Sequence, residues 1–127
     1  MTIATQTHDD FKMFTGKLDD AGHISEVAKQ VQTWSEKKTF APKSIGIEYV
    51  EHSKQIILSV GYRTDEDGYA VTLRSQKIGR IGELNADELV RLERAMKAVA
   101  QNAQDVICHE LYVTEANDLY MVTMSHA

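Results

Sequence analysis

Apolar side chains recur along this chain with two different periods, and the longer period marks two segments. Near residues 23–38 and 86–104 the apolar positions lie three and four residues apart, which is the spacing of one face of an α-helix. Asn85 stands where an N-cap is expected, with Glu88 three residues later, as in a capping box. The two apolar stripes are Ile24, Val27, Ala28, Val31 and Trp34, and Leu89, Leu92, Met96, Val99 and Ala103. The sequence therefore predicts two amphipathic helices.

Elsewhere apolar and polar residues alternate, which is typical of β-strands with one buried face. The element order is (β)-α-β-β-β-α-β-β, and it predicts an α+β fold with a mostly antiparallel sheet. Residues 1–9 are polar and aperiodic, so we expect a flexible N-terminus followed by a single domain over residues 10–127. The predicted strands lie near residues 11–18, 45–50, 55–62, 69–73, 106–115 and 118–125.

Two stretches of the chain resemble each other, "EYVEHSKQIILSV" from residue 48 and "LYVTEANDLYMVT" from residue 111. The similarity predicts two βαββ units packed around one sheet, although any two amphipathic hairpins share this spacing. Matching apolar faces across the turn at 64–68 pairs Leu58 with Leu73, and neighbouring residues accordingly. The element order resembles the secretion-chaperone type of α+β fold, which implies a dimeric binding module.

Net charge, cysteine content and the length of apolar runs indicate which classes of protein this chain can belong to. A net charge of −5 argues against a nucleic-acid-binding surface, which needs concentrated Lys and Arg. The single Cys108 cannot form a disulfide within the chain, as expected in a reducing cytosol. We see neither a signal peptide nor an apolar run long enough for a membrane helix. We therefore expect a soluble, cytoplasmic protein that binds neither nucleic acid nor membrane.

No motif in the sequence names a reaction, a metal or a cofactor. The histidines fit no recognised ligand spacing, and the nucleophile-elbow pattern is absent. Cys108 and His109 are adjacent, so on a strand they point to opposite faces. We expect no catalytic or metal-binding residues, and we interpret Cys108 as a core thiol. The five histidines are His8, His23, His52, His109 and His126.

Three arginines on the predicted strands form a candidate binding patch. If Arg63, Arg74 and Arg80 gather near one end of the sheet beside Tyr62, they could bind a carboxylate ligand or an acidic partner. The alternative is that these arginines are solvated and pair with Glu or Asp.

The last hairpin differs from the first because both of its faces are apolar. Pairing the strands around a turn at "EAND" (115–118) places Cys108 and Tyr112 on one face with Leu119 and Met121. A second apolar face then needs a cover, and a homodimer is the simplest one. Helices on opposite sides of the sheet are the alternative. The residues predicted to form the dimer interface are Leu111, Tyr120, Val122 and Met124.

Two functions from different classes follow from these observations. The first is a small homodimeric binding or adaptor module, regulatory or chaperone-like, without catalytic activity and with a possible protein partner. The second is a small anionic-ligand-binding protein or an enzyme, with its site between helix and sheet. The absence of convergent catalytic motifs favours the first.

Overall fold

The computed structural model describes residues 10–127, so the predicted N-terminal tail at 1–9 lies outside the described residues. The predicted order of elements is confirmed. The elements are β1 (Asp10–Lys17), α1 (Ser25–Ser35), β2 (Ala41–Val50), β3 (Gln55–Arg63), β4 (Val71–Arg80), α2 (Ala86–Gln101), β5 (Val106–Val113) and β6 (Asp118–His126).

The strands form two antiparallel three-stranded sheets, not the one sheet expected from the sequence. The first sheet has the order β1-β3-β2 and the second β4-β6-β5. The predicted pairing of Leu58 with Leu73 is wrong, because β1 and β2 already occupy both edges of β3. Leu73 instead pairs with Met124, and Val71 pairs with His126. The loop after β3 thus carries the chain from one sheet to the other.

The two sheets have the same internal topology. Each is built from a strand, a helix and a hairpin, and in each the last strand of the unit lies in the middle. Ile56 and Leu58 of β3 are buried on the face covered by α1, and Leu119 and Met121 of β6 lie in the cluster covered by α2. These pairs are the residues matched by the internal similarity of the sequence, so the chain consists of two βαββ units.

Helix α1 lies between the two sheets and contributes to a core that contains residues of both. Val27 and Val31 are fully buried, in one cluster with Leu58 of the first sheet and Val122 and Met124 of the second. Each of these apolar side chains contributes roughly 1.5–3 kcal/mol when it is buried completely. The core therefore joins the two units through α1.

The same helix also covers the outer edges of both sheets. On β4, the backbone amides of Val71 and Leu73 donate to Ser35 Oγ and Gln32 Oε1, each at 3.0 Å. On β1, the carbonyl oxygen of Thr15 accepts from Gln30 Nε2 at 3.0 Å. Because β2 and β5 lie side by side, each sheet has one edge against the helix and the other against its neighbouring sheet. Exposed strand edges invite pairing with other chains, and this arrangement protects them.

Helix α2 lies on the opposite face of the second sheet, which we call the outer face. Leu92 packs there against Ile78, Leu119 and Met121. The helix begins as predicted, because Asn85 Oδ1 accepts from the backbone amide of Glu88 at 2.9 Å. The other half of the predicted capping box differs, since the Glu88 carboxylate accepts from the amide of Gly82 instead.

The last hairpin is shifted by one residue from the predicted pairing. Its turn lies at Thr114–Asn117, where Asn117 takes a left-handed conformation with φ 64° and donates its amide to Thr114 O. Tyr112 therefore pairs with Tyr120 rather than with Met121. Because side chains alternate along a strand, this shift exchanges the two faces of β5 relative to β6, so Leu111 shares a face with Met121 and not with Tyr120.

The shift changes the interpretation of the predicted dimer interface. Tyr120, Val122 and Met124 are buried on the inner face, in the cluster around α1. They are not available to a second protomer, because α1 and the first sheet cover the inner face. Leu111 alone among the four predicted residues lies on the outer face and is exposed.

Candidate functional site

Helix α2 is poorly covered for an amphipathic helix. Of its 16 residues only Leu92 is buried, whereas four residues of the shorter α1 are. Leu89 keeps 49% of its side chain exposed, although it belongs to the same apolar stripe as Leu92. The stripe that predicted this helix is therefore only partly used within the chain.

The uncovered side of α2 is directed toward β5. Arg91 Nη2 donates to the carbonyl oxygen of Arg80 at 3.0 Å, which fixes one flank of the helix over β4. At 3.6 residues per turn, Leu89 and Met96 lie on the opposite flank. Since β5 is the far strand of this sheet, that flank faces the open part of the outer face.

The outer face of β5, on the side toward this flank of α2, is apolar and exposed. Leu111 and Val113 pair with Met121 and Leu119 of β6, which places their side chains on the side of the sheet where α2 packs. They remain 37% and 40% exposed, because α2 does not reach them. We call the surface that carries Leu89, Leu111 and Val113 the α2–β5 surface.

The charges of α2 are divided between its two halves. Asp87, Glu88 and Glu93 lie in the first half with one arginine, whereas Arg94 and Lys97 are the charged residues of the second. This division suits the dipole of the helix itself. Among residues 10–127, Glu93, Arg94 and Lys97 take part in no ion pair, so these charges are available to a partner.

The four residues of the predicted cationic patch are not brought together. Tyr62 is buried among aromatic rings, with Trp34 at 5.4 Å and Phe40 at 4.6 Å between ring centroids. Arg63 pairs with Asp65, its Nε lying 2.8 Å from Oδ1, as the alternative interpretation held. Arg80 ends β4 in the second sheet.

Arg74 lies apart from the other arginines and lines a cavity of about 450 Å³. The cavity opens on the outer face of the second sheet, where α2 has ended. Its walls include Thr72, Gln76, Thr123 and Ser125 from β4 and β6. The structure thus places one of the predicted binding residues in a cavity between a helix and a sheet.

Cys108 lies in the seam between the sheets and is half-buried beside the core. Burial raises the pKa of its thiol to about 11, and a hydrogen bond from the backbone of Ile45 opposes this only in part. A nucleophilic cysteine requires the opposite shift, toward a stable thiolate. The environment of Cys108 therefore favours an unreactive thiol.

His23 and Ser75 form the pair in the described part of the chain that most resembles a nucleophile and its base. His23 Nδ1 lies 2.7 Å from Ser75 Oγ, and the imidazole meets the edge of the Tyr120 ring. The nearby Asp19 carboxylate accepts from the backbone amide of His23 and from Ser25 Oγ. These contacts fasten the loop before α1 to the second sheet, which is a structural role.

Two further observations concern the described residues as a whole. Within residues 10–127, no three His, Cys, Asp or Glu side chains are grouped so that they could hold a metal ion. No helix of this part of the chain is long and apolar enough to cross a membrane.

The sequence interpretation missed Leu89 and the residues around Arg74. Leu89 belongs to the apolar stripe that predicts the helix, and periodicity shows which face of a helix is apolar but not what covers it. Thr72, Gln76 and Thr123 look like ordinary solvent-facing strand residues in the sequence. Only the pairing of β4 with β6 brings them together.

No protein-family model matches the chain, and no curated protein and no solved structure matches it significantly. The resemblance to the secretion-chaperone type of fold thus consists of the order of elements alone.

Proposed function

We propose that this protein is a non-enzymatic interaction module that works as a homodimer, with the α2–β5 surface as the contact between protomers. One observation carries the proposal: Leu92 is the one fully buried residue of this 16-residue amphipathic helix, and Leu89 of the same apolar stripe is exposed. Leu89 on α2 and Leu111 and Val113 on β5 are exposed apolar side chains on the same face of the second sheet. Exposed apolar groups that adjoin one another are typical of protein interfaces.

The charges of α2 favour a second copy of the chain as the occupant of this surface. In a two-fold contact the same surface meets itself, and the charges of α2 favour a two-fold axis perpendicular to the helices, so that the two copies of α2 run antiparallel. Glu93 of the acidic first half then faces Lys97 of the basic second half of the other helix, and both lie on the side of α2 that carries Leu89. Complementary charges of this kind set the orientation of a contact and suppress other partners.

Apolar burial supplies the affinity. Completing the burial of a half-exposed leucine contributes roughly 1 kcal/mol, at about 25 cal/mol per Å². Two-fold symmetry doubles the contribution of Leu89, Leu111 and Val113. The total of several kcal/mol is opposed by the loss of translational and rotational freedom, so we expect a reversible dimer with a dissociation constant no tighter than micromolar. Binding of a further protein by this dimer stays a prediction.

The proposal is tested by placing charges on the surface. Leu89→Lys combined with Leu111→Lys introduces unpaired ammonium groups that a dimer would have to desolvate, which costs more than the lost packing. We expect this variant to be monomeric in sedimentation experiments while its circular dichroism matches the wild type. Both side chains are exposed within the protomer, so folding should be preserved.

Met13→Lys is the matched control, because Met13 is 63% exposed but lies on β1 of the first sheet. This control should remain dimeric. A double variant at Leu89 and Leu111 that sediments as the wild type does would contradict the proposed interface.

A further inference from the structure

The cavity beside Arg74 is separate from the α2–β5 surface, and its lining is mostly polar. It lies at the C-terminal end of α2, with its floor formed by the outer face of β4 and β6. We infer that this cavity binds a small molecule that carries an oxyanion, a carboxylate or a phosphate, together with hydroxyl groups. Its volume of about 450 Å³ falls within the range of small-ligand sites.

Strand pairing explains how the polar groups converge. Arg74 pairs with Thr123 and Thr72 pairs with Ser125, and paired residues project their side chains to the same face of the sheet. Thr72 Oγ1 and Ser125 Oγ lie 3.0 Å apart and share a hydrogen bond. A guanidinium is therefore bordered by a row of hydroxyl groups, which can donate to an anion and accept from a ligand hydroxyl.

The guanidinium of Arg74 is available for such a ligand. Among residues 10–127 it takes part in no ion pair, in contrast to Arg63, which contacts both Asp65 and Glu66. An arginine can bind a carboxylate or a phosphate with two parallel hydrogen bonds, which gives geometry as well as charge. Arg74 is thus the residue that would bind the oxyanion.

The end of α2 does not oppose this charge strongly. The last carbonyl groups of a helix repel anions, but here they are engaged. The carbonyl oxygen of Ala98 accepts from Asn102 Nδ2 at 3.2 Å, and those of Val99 and Ala100 accept from the amides of Asn102 and Ala103. The partial negative charge of these carbonyl oxygens is therefore directed at the N–H groups that donate to them.

Two further groups specify the remainder of the ligand. Asp105, which follows α2, adds a carboxylate to the wall of the cavity. It would repel a second anionic group but accept a hydrogen bond from a hydroxyl. His109 Nδ1 lies 3.0 Å from Thr123 Oγ1 and so holds that hydroxyl in place beside Arg74. One oxyanion with hydroxyl groups satisfies this lining better than a polyanion does.

Titration of the isotope-labelled protein, followed by amide chemical shifts, tests the inference. The probes are inorganic phosphate, ribose 5-phosphate, gluconate and uncharged ribitol. Saturable shifts at residues 72–76 and 123–126 are expected with ribose 5-phosphate or gluconate. Phosphate alone should bind more weakly, and ribitol weakest. The absence of saturable shifts with every charged probe at millimolar concentration would overturn the inference.

Single substitutions test whether Arg74 is the residue that binds the oxyanion. Arg74→Gln should weaken binding at least about tenfold, since a charge-assisted hydrogen bond contributes roughly 1.5–3 kcal/mol. Arg80→Gln, at the far end of the same strand, should leave the affinity unchanged. If the two variants weaken binding equally, the anion responds to net charge and the site assignment is wrong. The double variant Leu89→Lys with Leu111→Lys, which we expect to be monomeric, should still bind ribose 5-phosphate or gluconate. The test of the cavity is therefore independent of the proposed dimer.

Discussion

The hydroxyl of Tyr112 in β5 donates a hydrogen bond of 2.7 Å to the carbonyl oxygen of Gly22, in the loop before α1. Tyr120 donates to the neighbouring carbonyl of Ala21, and the two tyrosine rings stack with centroids 5.2 Å apart. Gly22 has φ 90°, a conformation that favours glycine, and it brings the backbone close to Tyr120. The second unit thus holds the loop that leads into the helix of the first.

Removing this hydroxyl should destabilise the protein without disturbing its packing. Tyr112→Phe keeps the stacked ring but leaves the carbonyl of Gly22 without its donor, which costs about 1 kcal/mol. Urea unfolding should show a lower midpoint with an unchanged slope. Tyr49→Phe is the control, because water can replace its contact with the exposed Glu115. Equal midpoints for wild type and Tyr112→Phe would show that this hydrogen bond adds no net stability.

The order of elements could be predicted from the sequence, whereas the partners of the strands could not. Periodicity is a local property, and it located both helices and all six strands. Leu58 and Leu73 each have the alternation of a half-buried strand, so nothing local shows that they belong to different sheets. The pairing of β5 with β6 met the same limit, because one residue of shift in the hairpin placed Leu111 on the face opposite Tyr120 and Val122.

The conformation of Asn117 fixes that hairpin. Its φ of 64° lies in the left-handed region, which asparagine and glycine tolerate better than other residues. Asn117→Gly should keep the wild-type stability within about 0.5 kcal/mol, whereas Asn117→Val should lose roughly 1–2 kcal/mol through backbone strain. Thermal unfolding of the two variants measures the difference. Equal stabilities would mean that the turn does not require this conformation.

The raised pKa of the Cys108 thiol predicts slow alkylation of the folded protein and a free energy of unfolding that depends on pH. Because burial raises the pKa of the native thiol to about 11, alkylation of the folded protein at neutral pH should be far slower than in urea. The unfolded chain loses the thiol proton at lower pH than the native protein does. The contribution of Cys108 to stability is therefore complete below the unfolded pKa and is lost as pH rises through the native value.

Cys108→Ala provides the comparison, since it lacks the titrating group. Between pH 8 and pH 11, the stability of the wild type should fall more steeply than that of this variant. Parallel pH profiles for the two proteins, or rapid alkylation of the native thiol, would count against a buried neutral cysteine.

The charge pattern of α2 predicts the orientation of the proposed dimer. Glu93 and Lys97 lie one turn apart on the side of the helix that carries Leu89, where two antiparallel copies would cross. Glu93→Lys should weaken association about tenfold by setting like charges against each other, and Lys97→Glu should do the same. The double exchange should restore the wild-type dissociation constant. If the double exchange is as weak as the single ones, the helices do not meet in this orientation.

Part of the candidate site could be recognised in the sequence. Arg74 was a candidate because it is a cation on a strand, and Leu111 because the last hairpin is apolar on both sides. The cavity and the α2–β5 surface both depend on where α2 ends and what it leaves uncovered. Those features follow from packing between elements that are distant in the sequence, and a single sequence does not show them.

Sedimentation equilibrium of the unmodified protein tests the proposed homodimer most directly. The chain has a mass of 14.3 kDa. At micromolar to high micromolar concentrations the weight-average mass should rise toward twice that value, and dilution should return it toward the chain mass. A protein that keeps the mass of a single chain over the whole range would contradict the account of α2 as an interface helix.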